Sequence, residues 1–473
     1  MIMTTVTSSW YLSTLLMLMI VAAPQPATSV SAASNTIKKC FNEISEIYLR
    51  QYNNVYGLQF YSPAGGVIEL NSNQKTNGIY FSDLGGFYEC KDQGKSRTKL
   101  SHHGIYYNET GNQTVITTNS DVNCLGAHSD CSDNVVYCAN GTIVSQTYPY
   151  ELPDPITGKF TNPILPVIKH KFESQRLYKH PIVNLTSPEN KCYNDMAGTY
   201  LTGYSDGSYA VTVMVPSGYF ITVLTNERNA DGTFNRGTGV GAWYCTNTRA
   251  VNGISNYFNY PANRVTNRES IGSSSFYMQC PAKADGSTQY ENCTGELTSS
   301  YYPLQYQRMP FRDGSSSPSL TFTSNRYLTS PSIRSCHSNL SGVYAFRVKF
   351  RTTPKFVALY LFNLYQTGFL QGSSANENSE KNPTSNVFGT WECNNKSKLV
   401  LRYLVFGFVS HNRSSPVVYP AQFTLKCQNQ RCIGTGETFS YLVKLPHNGK
   451  IPGTPLIPVT YTVTVQKLRY ENY

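Results

Sequence analysis

Thirteen cysteines carry the clearest chemistry in this chain of 473 residues. Twelve of them form three sets of four whose spacing recurs along the sequence. The sets are Cys40, Cys90, Cys124 and Cys138; Cys192, Cys245, Cys280 and Cys293; and Cys336, Cys393, Cys427 and Cys432. In every set the third cysteine follows the second by 34 or 35 residues. This recurrence predicts three copies of one domain that carries disulfide bonds.

Each second cysteine ends a short phrase of glycine and aromatic residues. The phrase reads Val-Gly-Ala-Trp-Tyr-Cys at 240–245 and Phe-Gly-Thr-Trp-Glu-Cys at 388–393, with a looser copy, Gly-Gly-Phe-Tyr-Glu-Cys, at 85–90. We interpret the aromatic residue as core packing against the disulfide, since a large ring buries much apolar area. The alternative is a ring that serves as a platform for a ligand.

The cysteine spacing also favours one pairing. Four cysteines allow three pairings in each set. Bonds of first to second and third to fourth are favoured, because Cys427 and Cys432 are close enough to join a hairpin. Each bond would stabilise its domain by roughly 2–4 kcal/mol if unstrained. Cys131 has no counterpart in the other two sets. Metal binding by the cysteines together with His128 is the alternative to disulfide bonding. The paired cysteine spacing of zinc sites is missing there, so no metal site is predicted.

Two glycine-rich stretches match motifs of catalysis or phosphate binding. Residues 203–207 read Gly-Tyr-Ser-Asp-Gly, the elbow pattern of hydrolases, and residues 237–241 read Gly-Thr-Gly-Val-Gly. Both motifs need a helix immediately after them, and strand-forming residues follow instead. We therefore predict no catalytic residue and no cofactor. A hydrolase is the least favoured function, and the chain is interpreted as non-enzymatic.

The positive charge lies in the last third of the chain. Residues 331–473 contain 16 Lys and Arg against 5 Asp and Glu, whereas the first 330 residues are balanced, so this third carries the whole formal charge of +11. Arg347, Lys349 and Arg351 alternate with apolar residues, which places these cations on one face of a strand. The candidate anion-binding residues are Arg347, Lys349, Arg351, Lys355, Lys396, Lys398 and Arg402.

Two interpretations of these cations stay open. They form a solvated outer face or an edge strand protected by charge. Alternatively, they bind a polyanion such as a sulfated glycan, an acidic or mineral-associated matrix protein, or an anionic membrane. Nucleic acid would suit the charge but not a secreted protein. No nucleic-acid partner is therefore predicted.

The elements that must position these residues are predicted to be antiparallel β-strands, in barrels or sandwiches. Abundant tyrosine (36), with 34 Gly and 25 Pro, suits pleated strands joined by turns. The clearest hairpin pairs 199–204 with 209–215 around an Asp-Gly turn. Prolines between Pro149 and Pro181 predict an extended surface linker. The predicted repeats are residues 33–186, with the proline-rich tail, 187–330 and 331–473.

One hairpin carries a family resemblance. Cys192, then Gly198-Thr199-Tyr200 and Asp206-Gly207-Ser208, resembles the first hairpin of avidin-type or lipocalin-type up-and-down barrels. The resemblance covers this hairpin alone and implies a barrel shape. It transfers no ligand and no binding residue.

The N-terminus and the glycosylation sequons indicate a secreted protein. Residues 11–23 are apolar and small residues follow, which predicts a signal peptide over residues 1–32 and no transmembrane anchor. Oxidising surroundings make disulfides the default state of the cysteines. Predicted glycosylation sites are Asn108, Asn112, Asn140, Asn184, Asn292, Asn339, Asn395 and Asn412.

The sequence thus predicts a secreted, non-enzymatic protein of three β-repeats. A matrix or adhesion component is favoured, with a basic third domain for anionic partners. The alternative is an extracellular carrier of small ligands with barrel-type domains of the lipocalin or avidin kind.

The odd cysteine generates the first testable expectation. Cys131 is free or forms a disulfide between two chains. We expect secreted protein to run as a covalent dimer on a non-reducing gel and as a monomer after reduction. Replacement of Cys131 by Ser should abolish the dimer, and a monomer under both conditions would rule out the intermolecular bond.

Overall fold

A computed structural model shows the architecture of the chain. It describes residues 45–52, 55–62, 65–71, 75–76, 79–81, 83–92, 95–108, 113–125, 138–178, 191–225, 238–259, 270–283, 289–303, 315–352, 357–374, 384–394, 397–408, 416–428 and 430–468. The signal peptide, Cys40 and Cys131 lie outside these ranges. No helix within them is long and apolar enough to cross a membrane.

The first barrel, barrel 1, contains ten strands. They are β1 (Ile47–Tyr52), β2 (Val55–Tyr61), β3 (Gly66–Asn71), β4 (Lys75–Thr76), β5 (Ile79–Phe81), β6 (Leu84–Asp92), β7 (Lys95–Asn108), β8 (Gln113–Leu125), β9 (Cys138–Pro149) and β10 (Ile168–Tyr178). Eight of these strands close a ring in the order β1-β2-β3-β6-β7-β8-β9-β10, and the short β4-β5 hairpin is attached to β7. All pairings are antiparallel.

Barrel 2 has the same order of eight strands after a short helix. Its elements are α1 (Lys191–Met196), β11 (Gly198–Tyr204), β12 (Tyr209–Val215), β13 (Tyr219–Leu224), β14 (Gly239–Asn247), β15 (Ala250–Asn259), β16 (Ser270–Gln279), β17 (Cys293–Pro303), β18 (Ser315–Ser316) and β19 (Leu320–Thr329). The strand β18 pairs only with β17, and β19 returns to β11 to close the ring.

Barrel 3 is the most regular of the three. Its elements are α2 (Ser335–Leu340), β20 (Gly342–Phe350), β21 (Val357–Leu364), β22 (Phe369–Ser374), β23 (Val387–Asn394), β24 (Lys398–Phe408), β25 (Pro416–Gln428), β26 (Arg431–Leu442) and β27 (Ile457–Lys467). Consecutive strands pair throughout, and β27 pairs with β20.

The predicted fold class is confirmed, and one local prediction is wrong. The chain is all-β and forms three closed antiparallel barrels. The stretch from Pro149 to Pro181 is not a surface linker throughout, because β10 lies within it and pairs with both β1 and β9. Among the described residues of this stretch, 150–167 run outside the sheet. No proline lies within β10, where alternating residues allow Phe172 and Ser174 to face inward and Lys171 and Glu173 outward.

Disulfides fix a helix to the end of barrels 2 and 3. Cys192 in α1 is bonded to Cys245 in β14, and Cys336 in α2 is bonded to Cys393 in β23. The other two bonds, Cys280–Cys293 and Cys427–Cys432, join neighbouring strands. The bonds follow the favoured pairing of first to second and third to fourth. In barrel 1 the backbone places Cys90, Cys124 and Cys138 on β6, β8 and β9, and their side chains lie outside the described part.

The aromatic residue of the recurrent phrase packs in the core. Trp243 and Trp391 are fully buried, and their indole N–H groups donate to backbone oxygens of Tyr219 and Tyr365 at 2.9 and 2.8 Å. A ring from each closing helix packs at a tilt against each indole, with the Tyr193 centroid 4.8 Å away in barrel 2. The predicted core packing is thus confirmed, and burial of the rings removes the ligand-platform alternative.

The outer faces of the barrels meet in one shared apolar core. Leu49 and Phe60 of barrel 1, Ile221 of barrel 2, and Phe388 and Phe406 of barrel 3 belong to this single buried cluster. Two tyrosine hydroxyls also form hydrogen bonds between barrels. Tyr219 of β13 donates to the backbone oxygen of Ser45 at 2.9 Å, and Tyr365, between β21 and β22, donates to that of Val67 at 3.2 Å. Apolar burial between barrels therefore holds the three repeats together.

A buried polar cluster lies where the three barrels meet. The Asn386 side-chain amide of barrel 3 donates to the carboxylate of Asp83 in barrel 1 and to the hydroxyl of Thr238 in barrel 2, the latter at 2.8 Å. Burial raises the pKa of Asp83 to about 6, against the hydrogen bonds that lower it. Nearby on β7, His103 is paired opposite Gly85, and burial lowers its pKa to about 4.

These two groups predict opposite dependences of stability on pH. The folded pKa of Asp83 is above its unfolded value, so its contribution to stability is gained as pH falls from about 6 toward 4. The folded pKa of His103 is below its unfolded value, so stability is lost as pH falls from about 6.5 toward 4. The free energy of unfolding of Asp83→Asn minus that of wild type should be larger at pH 7 than at pH 4.5, and the same difference for His103→Gln should be larger at pH 4.5. Between the two pH values, each of these differences should change by on the order of 2 kcal/mol.

Chemical denaturation of the wild type and both variants at the two pH values measures these differences. Differences that stay flat with pH for both variants would show that solvent reaches the two side chains. The account of the junction as a buried polar cluster would then be wrong.

Candidate anion-binding surface

The outer face of barrel 3 carries the predicted cations. On β20 the side chains of Val348 and Tyr344 point into the barrel, so Arg347 and Lys349 point outward and are exposed. Arg351 follows directly after the strand and is also exposed, and its N–H donates to the Thr460 oxygen of β27 at 3.0 Å. The alternation of cations with apolar residues on β20 therefore places the cations on the outer face of the barrel, as the sequence predicts.

A second group of cations lies on β24. Lys398 is exposed, and Arg402 is half-buried. The guanidinium of Arg402 is bound by Glu392 at 2.9 Å and donates to the side chain of Gln422 at 2.9 Å. Arg402 is thus engaged by a carboxylate, unlike Lys398. Lys355 and Lys396 lie outside the described residues.

Sequence reasoning missed two cations of this surface. Lys426 on β25 is directly opposite Lys398 in the strand register, and Arg431 begins β26. Both are exposed. The available signal was the inward-facing Cys427, since its neighbour in the strand must then point outward. We call Arg347, Lys349, Arg351, Lys398, Lys426 and Arg431 together the basic face.

The two flanks of the basic face are separated by hydroxyl groups. Strand register gives an outward row that runs from Val400 through Thr424, Thr435 and Thr462 to Lys349. In the ring of eight strands, β20 and β24 are four steps apart and therefore lie on opposite sides of barrel 3. At about 4.8 Å between strands, the path between them along the barrel wall is roughly 19 Å long. The surface thus offers cations at both sides and hydrogen-bonding side chains between them. Ile433 and Glu437 also lie on it and are exposed.

Contacts with barrel 1 decide where the basic face begins. Outward residues near the start of β20, Val343 and Ala345, are buried with Val115 and Tyr148 of barrel 1. The neighbouring β21 residue Leu359 belongs to the same cluster. Farther along β20 the outward residues Arg347 and Lys349 are exposed and charged. On β20 the basic face therefore begins where the buried contact with the described part of barrel 1 ends.

The cations of the basic face include one pair of like charges on neighbouring strands. Lys398 and Lys426 have directly opposed positions on neighbouring strands, and like charges in that arrangement are destabilising. Within the described residues, no carboxylate forms an ion pair with any member of the basic face. Such a surface can bind an anionic chain through several weak contacts.

One cluster of metal-ligand types occurs among the described residues. Cys336, His337 and Cys393 have their ligand atoms within 4.8 Å of one another. The two sulfurs are bonded to each other, so neither is available as a thiolate ligand. The imidazole stacks on Trp391 at 4.5 Å, and burial lowers its pKa. The cluster is part of the helix-to-barrel closure.

One glycine-rich motif and three of the sequons lie on the surface. Residues 205–207 form a turn between β11 and β12, where Gly207 has φ +84° and the Asp206 carboxylate accepts from the Ser208 N–H at 2.9 Å. In the second glycine-rich motif, residues 238–241 are buried, and a strand, β14, rather than a helix follows Thr238. Asn140, Asn292 and Asn339 are exposed. Only the backbone of Asn108 is described, and Asn112, Asn184, Asn395 and Asn412 lie outside the described ranges.

Comparison with protein-family models, characterised proteins and solved structures finds no match.

Proposed function

We propose that this protein is an extracellular binding protein that attaches to an acidic polymer, such as a sulfated glycan or an acidic matrix protein, through the basic face. The main support is the opposition of Lys398 and Lys426 on adjacent strands, together with the cations of β20. Disulfide-bonded β-barrels fit an extracellular protein in general. The polymer, and a matrix or adhesion role, belong to the proposal.

Spacing on the basic face suits a flexible chain of regularly placed anions. A flexible polymer that wraps around half of barrel 3 would meet cations on β24 and β25, then threonine hydroxyls, and then the cations of β20. Individual exposed ion pairs contribute only about 0.2–1 kcal/mol, so attachment requires several of them at once. Binding should therefore be steeply sensitive to salt, because exposed charges are screened at high ionic strength.

Heparin affinity chromatography of the full chain tests the proposal. The variant Arg347→Gln/Lys349→Gln/Arg351→Gln should elute at lower salt and lose affinity by roughly tenfold, the product of three contacts of about 0.5 kcal/mol each. Adding Lys398→Gln and Lys426→Gln should abolish retention at physiological salt. Thermal unfolding should hardly change, because these side chains are exposed.

A charge-matched variant is the control. Lys169→Gln/Lys171→Gln/Arg249→Gln removes three exposed cations from barrels 1 and 2 and leaves the basic face intact. Its elution should stay close to that of wild type. Equal losses in this control and in the β20 variant would contradict the proposal, since retention would then follow net charge alone.

A further inference from the structure

The interiors of the three barrels differ at equivalent positions. Strand register identifies one interior position on each of the first three strands that is equivalent in all three barrels. The residues there are Arg50, Gln59 and Glu69 in barrel 1; Thr202, Thr212 and Thr222 in barrel 2; and Phe346, Phe362 and Gly372 in barrel 3. The same fold thus encloses a mostly charged layer in barrel 1, a layer of hydroxyl groups in barrel 2 and a mostly aromatic layer in barrel 3.

Barrels 2 and 3 satisfy this layer internally. In barrel 2 the hydroxyls of Thr212 and Thr222 are 3.0 Å apart, and Thr202 bonds with Ser324 at 2.8 Å. In barrel 3 aromatic rings fill the space, with the centroids of Phe346 and Phe362 4.6 Å apart. An eight-stranded barrel is just wide enough for such side chains to fill it. Neither layer calls for a ligand.

Barrel 1 leaves one edge of a buried guanidinium without a partner. Arg50 is fully buried, its Nη1 donates to Glu69 at 3.2 Å, and its carbon lies 4.0 Å from the centre of the Phe172 ring. Its Nε and Nη2 atoms have no hydrogen-bond acceptor. These two N–H groups form one side of the planar guanidinium, the side that binds both oxygens of a carboxylate or phosphate.

Two hydroxyls in the same interior are also without partners. Ser174 is opposite Arg50 in the register of β10 and β1, and Ser120 is on β8. Both are nine-tenths or more buried, and neither Oγ atom is hydrogen-bonded. Leaving buried donors of a charged group unmatched costs more free energy than leaving them in water. A bound oxoanion would remove that cost at Arg50.

Glu69 does not neutralise Arg50 completely. Its contact with Nη1 is longer than the usual 2.7–2.9 Å of a charge-assisted bond. The same Glu69 oxygen accepts from the side-chain amide of Gln59 at 2.7 Å. The negative charge of Glu69 is thus shared, and the opposite edge of the guanidinium keeps its attraction for a second anion.

We propose that the interior of barrel 1 is a binding site for the oxoanion group of a small molecule, a carboxylate or a phosphate, held by the Nε and Nη2 atoms of Arg50. Phe172 holds the guanidinium plane from one side, and Ser174 offers a hydroxyl beside it. This site is independent of the basic face, which lies on another barrel and on the outer surface.

The test measures anion binding to the full chain by ¹⁹F NMR. The probe is 4-fluorobenzoate, with the neutral 4-fluorobenzamide as its isostere, and formate and inorganic phosphate serve as competitors. The variant Arg50→Gln/Glu69→Gln removes both buried charges together, so that no unpaired ion is left behind. The variant Arg347→Gln/Lys349→Gln/Arg351→Gln controls for anions bound on the basic face.

We expect saturable binding of one anion per chain to wild type and to the basic-face control. Affinity should fall at least about tenfold in the double variant and for the amide probe. Competition by formate but not phosphate would identify a carboxylate site, and the reverse a phosphate site. Should the double variant fail to fold, Arg50→Lys keeps the charge but loses the two-donor edge, and the same loss is expected.

Unchanged binding in the Arg50 variants would overturn the proposal. So would the absence of saturable binding by fluorobenzoate, formate and phosphate alike, which would leave water as the only partner of these donors.

Discussion

The apolar contact between barrels is the constraint on which the rest of the structure depends. A closed barrel uses one face of each strand for its own interior, so the opposite face must meet solvent or another barrel. In this chain, apolar outer faces from all three repeats combine in one buried cluster. Outward residues of β20 change from Ala345, which is buried, to Arg347, which is exposed, where that contact ends. The position of the basic face is therefore a consequence of assembly.

Repetition of the fold left the barrel interiors free to diverge. The end of barrels 2 and 3 is fixed by the same disulfide, helix and tryptophan, so side chains in the middle layer can change without opening the ring. Barrel 3 uses aromatic packing there, barrel 2 uses paired hydroxyls, and barrel 1 holds Arg50 and Glu69. Replacing a buried ion pair by apolar residues is often neutral or stabilising. The buried ion pair in barrel 1 is therefore not explained by stability alone, and the proposed anion site gives it a use.

Much of the fold could be predicted from spacing alone. The cysteine sets, the Asp-Gly hairpin at 206–207 and the alternation around Arg347 are local patterns with a period that the strands preserve. The strand β10 was missed because prolines before it resembled a linker, and only its pairing with β1 shows that it closes the ring. The neighbouring Cys427 could have predicted that Lys426 points outward, but the position of Lys426 opposite Lys398 depends on the register of β25 against β24. The Arg50 layer depends on the register of β1, β2 and β3 and on the pairing of β1 with the distant strand β10, which the sequence of one strand alone does not show.

Small-angle X-ray scattering of the deglycosylated Cys131→Ser variant, in which the bond between chains cannot form, most directly tests the claim that the three barrels pack around one core. A compact particle of this length has a radius of gyration of about 22 Å. Three separate domains on a string, each with a radius of gyration of about 15 Å, would together exceed roughly 30 Å. We predict the compact value. An extended profile would contradict the shared core, and with it the account of why the basic face lies where it does.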